Sequence, residues 1–384
     1  MSMVKPKPPM PAVGRPPGQR AHPAGSGPQM ISVPAMLMRG GTSKGVYLLK
    51  SDLDRVSADP NVLLPAVMGS PDHRQIDGLG GASSTTSKVA IVGPATRPGC
   101  DIDYLFAQVE VESMRVDWTP TCGNILAGVG PFAIERGLVA TVDGHTSIRV
   151  HLVNTGATVT VSVPTPGGQV RYAGGFEISG VPGRAAAIDM VFSKFCGGST
   201  ATLFPTGNPV DDVDGVAVTA IDAGVCAIIA HAQAFGIAGD ESPRQLTGDR
   251  ELLRDIESVR LRAACAMGLG DVTGRVLPKV MLISNSHLGD LRSRYFVPSS
   301  CHPTHAVSGA LCLATAATFS DTVVGRLLPQ RFTAGPLVIE HPAGAMDVEI
   351  VDDGRPDGIS AVLRSTARKL FDGCVFADLD KMVA

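Results

Sequence analysis

Apolar residues along this chain fall mostly in short runs bounded by Gly, Pro and polar residues, the pattern of strands joined by tight turns. Two stretches depart from it. Residues 121–137, from Thr121-Cys122-Gly123-Asn124 through Pro131-Phe132-Ala133-Ile134, stay apolar for several turns of helix, and so do residues 301–317, from Cys301-His302-Pro303 through Leu313-Ala314-Thr315. A helix that is apolar on every side belongs in the middle of a structure, with other layers wrapped around it. Both helices are predicted to open on a cysteine and small polar residues, and the unpaired N–H groups of a helix start attract negative charge. The first is therefore either a carboxylate-binding floor edged by a thiol or a core helix with a polar cap, and the stretch alone favours neither.

Strands are predicted at 31–38 and 46–49, forming a hairpin with a polar tip, then at 89–92, 102–111, 114–118, 147–153, 157–163 and 169–173 around the first apolar helix. Those at 187–192, 215–221, 225–230, 277–284 and 292–297 precede the second helix, and 336–340, 346–351, 359–364 and 373–376 follow it. Further helices are predicted at 60–68, where Pro65 interrupts, and at 241–246 and 249–267. The scheme restarts near residue 185, which predicts an internal duplication with the two helix starts facing each other across a cleft.

Composition narrows the class. The 384 residues are 44% hydrophobic and 18% charged, enough for two or three domains with a large core. A net charge of −3 without a basic stripe excludes nucleic acid as a partner, and the absence of a long apolar run excludes a membrane span. The eight cysteines, at 100, 122, 196, 226, 265, 301, 312 and 374, show neither C-x-x-C pairs nor zinc spacing, so reduced thiols in a cytoplasmic compartment are expected and a metal is not. Residues 1–29 hold eight prolines, four Lys or Arg and no acidic residue, and are expected to be disordered. That tail lacks a secretory apolar core; organellar targeting stays open, although its prolines spoil an amphipathic helix.

Candidate chemistry is sparse. Lys88 follows a Ser/Thr run and heads an apolar strand, where a partly desolvated amine can act as a base; an exposed strand-start lysine fits that spacing better. Cys122 is a thiolate candidate at a helix start or simply a small buried apolar residue. Cys301 beside His302 lacks a carboxylate to orient the imidazole, which disfavours a hydrolase. His302 and His305 lack a third metal ligand. The tip Arg39-Gly40-Gly41-Thr42-Ser43-Lys44 departs from a phosphate loop, and Gly78-x-Gly80 leads into a strand, so neither nucleotide motif is present. Three polar tips, at 39–44, at Gly80-Gly81-Ala82-Ser83-Ser84-Thr85 and at Thr206-Gly207-Asn208, are alike and together suit a small polyanion.

Several longer motifs point to a family. Met38-Arg39-Gly40-Gly41-Thr42-Ser43-Lys44-Gly45, Gly69-Ser70-Pro71-Asp72, Gln75-Ile76-Asp77-Gly78, Thr86-Ser87-Lys88, Cys122-Gly123-Asn124 with Gly128-Val129-Gly130-Pro131-Phe132-Ala133-Ile134, and Ala367-Arg368-Lys369-Leu370-Phe371-Asp372-Gly373 occur in order. From about residue 31 to 377 the chain resembles the PrpF, methylitaconate isomerase and 4-oxalomesaconate tautomerase family. The resemblance implies the diaminopimelate-epimerase-like α/β (α+β) fold: two similar domains, each a curved sheet around a central apolar helix, with the active site in the cleft between them. The expected division is 30–184, completed by C-terminal strands from 355–384, and 185–354.

The resemblance also implies an isomerase that shifts a double bond by a 1,3-proton transfer in an unsaturated di- or tricarboxylate, without metal or organic cofactor. Lys88 takes the catalytic lysine position and Cys122 that of the Cys-Gly-Asn motif. Lys88 would remove and return the proton, while Cys122 assists or lines the site. Arg39, Gly41, Thr42, Ser43, Ser83, Ser84, Thr85, Ser87, Gly123, Asn124, Thr206, Asn208, His302, Ser308 and Gly309 are the expected substrate-binding residues. The lead substrates are 4-oxalomesaconate, aconitate and 2-methylaconitate. A non-catalytic tricarboxylate binder and an amino-acid racemase remain as alternatives, and a homodimer stays open. Diaminopimelate epimerase itself uses two cysteines as opposed bases, and its second cysteine motif is missing here.

Overall fold

The computed structural model describes residues 30–379 apart from 298, 329–331, 333–335 and 353–358; the tail expected to be disordered lies outside the described residues. The chain opens with the hairpin β1 (Met30–Gly40) and β2 (Ser43–Leu49). Helices α1 (Lys50–Val56) and α2 (Pro60–Met68) lead to β3 (Lys88–Pro94), parallel to β2 and antiparallel to β4 (Ile102–Val109). The short β5 (Val116–Asp117) precedes the central helix α3 (Gly123–Glu135). Then β6 (Gly144–Leu152) lies parallel to β4, β7 (Thr158–Thr165) antiparallel to β6, and β8 (Ala187–Ser193) antiparallel to β7.

The order then repeats. After β9 (Asp211–Val213), the hairpin β10 (Val216–Asp222) and β11 (Cys226–His231) is followed by helices α4 (Pro243–Gly248) and α5 (Arg250–Ala266). Strand β12 (Lys279–Ser284) is parallel to β11 and antiparallel to β13 (Leu291–Val297), and the short β14 (Ser300–Cys301) precedes α6 (Val307–Ala317). Past α7 (Val323–Leu327), β15 (Pro336–His341) lies parallel to β13, and β16 (Gly344–Asp352) antiparallel to β15. Strand by strand, β2-β3-β4-β5-α3-β6-β7 and β11-β12-β13-β14-α6-β15-β16 have the same pairings. Strand β8, which follows residue 185, pairs with both β7 and β17. The long β17 (Ile359–Asp378) joins the ladders by pairing with β16, β8 and β1.

Burial explains why the strands read as continuous apolar runs. Successive side chains point to opposite faces. Ala90 and Val92 of β3 face the cluster around α3 and α6, while Val89 and Ile91 pack outward with Leu63, Leu64, Val67 and Met68 of α2. In β12, Met281 and Ile283 face inward, and Val280 and Leu282 pack with Leu252, Ile256, Val259 and Ala263 of α5. With both faces covered, neither strand can alternate polar residues. Helix α3 buries every residue from Asn124 to Ala133, and each large one, such as Ile125, Leu126 or Phe132, contributes about 1.5–3 kcal/mol.

Two expectations need correction. Residues 169–173 do not form a strand; β6 and β8 already occupy both edges of β7, so no ladder position remains. The second apolar helix does not open on Cys301-His302. Cys301 is taken by pairing with Phe296, His302 precedes Pro303 and is steered away from helix, and the helix starts at Val307 behind Ala306.

Candidate active site

A cavity of about 390 Å³ lies where the starts of α3 and α6 approach each other. Its wall includes Cys122, Gly123 and Asn124 from the first helix start and Ala306, Val307 and Ser308 from the second. Helices α2, α4, α5 and α7 are capped by the side chains of Asp59, Ser242, Asp249 and Thr322. The caps of α3 and α6, Cys122 and Ala306, make no such bond, and neither does Leu49 of α1; of these three starts, those of α3 and α6 open on the cavity, where their first-turn N–H groups can meet an anion. Among the described residues, the buried hydroxyls of Ser43 and Thr121, also in the wall, have no hydrogen-bond partner. A buried hydroxyl without a partner costs about 1–3 kcal/mol, which a ligand carboxylate would offset. The first turn of α3 is held from beneath: Tyr47 donates to the carbonyl of Ile125 at 2.5 Å and Tyr104 to that of Cys122 at 3.1 Å.

Lys88 is the first residue of β3, and the period of two puts it on the same face as Ala90 and Val92, toward α3. It is buried, lines the cavity, donates to Oε1 of Gln108 at 2.7 Å and stands 5.1 Å from the centre of the Phe106 ring. Gln108 in turn donates to the carbonyls of Ser84 and Ser87, tying the lysine to the Ser/Thr loop. His302 is half-buried in the cavity wall; desolvation and then the charge of Lys88 lower its pKa to about 4, so it is neutral at pH 7. Its Nδ1 accepts from the Thr304 N–H at 3.1 Å, which assigns the ring hydrogen to Nε2.

Of the sequence-derived residues, the cavity brings together Ser43, Ser84, Lys88, Cys122, Gly123, Asn124, His302 and Ser308. The others support it or stand apart. Arg39 donates to the carbonyls of Gly41 and Thr366 and to the Thr366 hydroxyl, fastening the hairpin tip to β17. Gly41, with φ of 52°, lets the tip approach the Asn124 side chain, and Thr42 bonds Thr304 at 3.1 Å. Ser83 is within hydrogen-bond reach of the hydroxyls of Thr85 and Thr86, and Ser87 donates to Gln75. Gly309 makes room for the Tyr295 ring. Thr206 and Asn208 both donate to Asp211, a self-satisfied turn outside the cavity wall.

Sequence reading missed Gln108, Asp117, Lys194, Asp222, Lys279 and Tyr295, which also line the cavity. For Lys279 a signal existed: Lys88-Val89-Ala90-Ile91-Val92 and Lys279-Val280-Met281-Leu282-Ile283 both put a lysine at the head of a wholly apolar strand. Burial lowers the Lys279 pKa to about 7, with Asp117 opposing and the charges of Lys88 and Arg260 adding. The thiols differ. Burial pushes Cys196 up to about 11 and Cys226 and Cys301 up to about 12, which makes them inert, and Cys301 is absent from the cavity wall. Among the described residues, no three His, Cys, Asp or Glu side chains gather in a metal-binding group. No described helix is long and apolar enough to cross a membrane.

Two repeated sheet units, each built on a central apolar helix, define the diaminopimelate-epimerase-like class of α/β proteins. A hydroxyproline epimerase from Agrobacterium vitis shares this fold with a TM-score of 0.52 at 11% identity, covering 90% of this chain and 93% of that one. Within that class the chain belongs to the PrpF family, whose model, described as PrpF protein, matches residues 30–378. It is 47% identical over 349 residues to a 4-oxalomesaconate tautomerase from Pseudomonas putida, covering 89% of this chain and 95% of the relative. The crystal structure of a methylitaconate-delta-isomerase matches with a TM-score of 0.76 at 33% identity, covering 92% of this chain and 98% of that one. The chain is an isomerase.

Proposed function

We propose that this isomerase moves a carbon–carbon double bond in a small unsaturated polycarboxylate by a 1,3-proton shift that needs no metal or organic cofactor. The carrying observation is a buried lysine, Lys88, in one cavity with two uncapped helix starts and the unpartnered hydroxyls of Ser43 and Thr121. Carboxylates bound at the helix starts would place the allylic carbon against the amine. Proton removal gives a dienolate whose charge spreads onto oxygens facing N–H groups and hydroxyls, and a proton added at the far carbon completes the shift. Lys88 moves protons; Cys122 forms part of the wall.

A tricarboxylate suits two adjoining helix starts and a cavity whose wall carries Lys88, Lys194 and Lys279. The lead is 4-oxalomesaconate, supported by the 47% identical tautomerase, followed by aconitate and 2-methylaconitate. An amino-acid racemase is disfavoured because the two helix caps are Cys122 and Ala306, one thiol and not two. Proton NMR in deuterium oxide with a panel of unsaturated tricarboxylates tests the reading. The isomerase exchanges an allylic proton and accumulates the shifted alkene; binding without exchange across the panel overturns it in favour of a tricarboxylate-binding protein.

A further inference from the structure

The internal repeat places a second lysine where Lys88 stands. Lys88 heads β3 and lies opposite Gly45 of the parallel neighbour β2; Lys279 heads β12 and lies opposite Ala227 of the parallel neighbour β11. Each strand then runs antiparallel to a strand that leads through a two-residue strand to a central helix. Each lysine shares its strand's inward face, and both line the same cavity. The equivalent helix caps, Cys122 and Ala306, differ, so the duplication keeps a pair of amines where it does not keep a pair of thiols.

The two amines differ in what holds them. Lys88 is pinned by Gln108 and the Phe106 ring. Lys279 is buried, yet among the described residues its amine has neither a hydrogen-bond nor an ion-pair partner. That amine belongs to a residue of the cavity wall, where no described side chain holds it, and a lysine so far from bulk water is costly to keep charged. The charged groups acting on it are Asp117 of β5, Lys88 of β3 and Arg260 of α5, with burial the strongest influence; Lys194, Asp222 and neutral His302 line the same wall.

We propose that Lys279 is a second catalytic residue, working from the other half of the molecule as the counterpart of Lys88, so that one amine takes the proton from carbon and the other gives one back. This rests on the double-bond isomerase reading. As the allylic C–H bond breaks, its proton forms an N–H bond at Lys279 Nζ, and the electron pair passes into the conjugated carboxylate system. The far carbon then forms its C–H bond with a proton from the Lys88 ammonium, and the double bond settles in its new place. Lys279 has gained one proton and Lys88 has lost one, and exchange with water after product leaves restores both.

Lys279→Arg separates this role from carboxylate binding, because guanidinium keeps the positive charge but does not accept a proton. Lys279→Arg and Lys279→Met are compared with wild type on the substrate found by solvent-deuterium exchange, with circular dichroism to confirm folding. For both variants kcat is expected to fall at least about 100-fold, with the Lys279→Arg KM within a few-fold of wild type. Substrate deuterated at the donor carbon, turned over by wild type in ordinary water, should yield product without carried-over deuterium. Near-wild-type kcat in folded Lys279→Arg, or deuterium carried into product, overturns the two-amine assignment and leaves the isomerase reading intact. Failure of wild type to exchange any member of the panel overturns both.

Discussion

Gly123 and Val307, the first residues of the two central helices, pack against each other with no room to spare: a β-carbon added at Gly123 would lie 2.6 Å from the Val307 β-carbon. The two helix starts are thus positioned by mutual contact. Gly123→Ala is expected to lower stability by about 1–3 kcal/mol and to reduce kcat/KM by forcing the starts apart. Val307→Ala in the same chain should recover much of both losses. Thermal unfolding and turnover of the two single variants and the double variant measure the coupling, and simple additivity would show that the contact does not position the site.

The hydrogen bond from Lys88 to Gln108 fixes where the amine points. Lys88→Ala should abolish measurable turnover while leaving the circular dichroism spectrum unchanged. Gln108→Leu keeps the amine but removes its anchor and the bonds to Ser84 and Ser87. Its kcat should fall by about 10- to 100-fold, since a small misplacement of a reacting group is enough for a loss of that order. An unchanged kcat in Gln108→Leu would mean that substrate, not Gln108, positions the lysine.

Cys122 lines the cavity, and the proposed proton transfer runs through lysine without it. Cys122→Ala should retain kcat within about tenfold, in contrast to the 10²–10⁴ that a lost acid–base group costs. Alkylation of wild type with iodoacetamide should nevertheless inactivate it by filling the site, and Cys122→Ala should resist. A loss in Cys122→Ala as deep as that in Lys88→Ala would make the thiol a partner in the chemistry.

Lys279 also leaves a mark on stability. Its folded pKa is lowered to about 7 from the ordinary 10.5, so between those values the unfolded chain binds more protons than the folded one, and stability rises with pH. The destabilisation is complete below about pH 7 and disappears as pH approaches 10.5. Lys279→Met should therefore have a larger unfolding free energy than wild type at about pH 6, by on the order of a few kcal/mol, with the gain, measured by denaturant unfolding, shrinking toward about pH 10. A gain independent of pH would place the amine in water. A variant more stable and less active is the signature of a residue kept for function.

Much of this architecture could be read from pattern. The hairpin ahead of Lys50, the apolar stretch after Cys122 and the amphipathic stripe of Leu252, Ile256, Val259 and Ala263 reveal their elements because each buries a defined face. Cys301 misled because its neighbours to the C-terminal side are small and apolar, while the force that claims it is pairing with Phe296 on another strand. Thr206 and Asn208 resembled a carboxylate loop by composition, yet one local carboxylate, Asp211, satisfies both. Lys279 escaped notice for a different reason. Its place at the head of an apolar strand matches that of Lys88, but only the pairing of β12 with β11 and β13 shows the two to be counterparts.

The threefold partnership of β17 has a consequence for the order in which a nascent chain can become an enzyme. Its residues pair with β16 and β8 at one end and with β1 along the rest, and Thr366 accepts from both Arg39 and the Gly41 N–H at the hairpin tip. The hairpin that carries Ser43 therefore gains its final strand neighbour only after the entire second half has been translated. Until then the edge of β1 is exposed to other chains and the cavity wall is unfinished. Activity and protection from aggregation should thus appear together, late in synthesis, at the moment β17 closes the ladder.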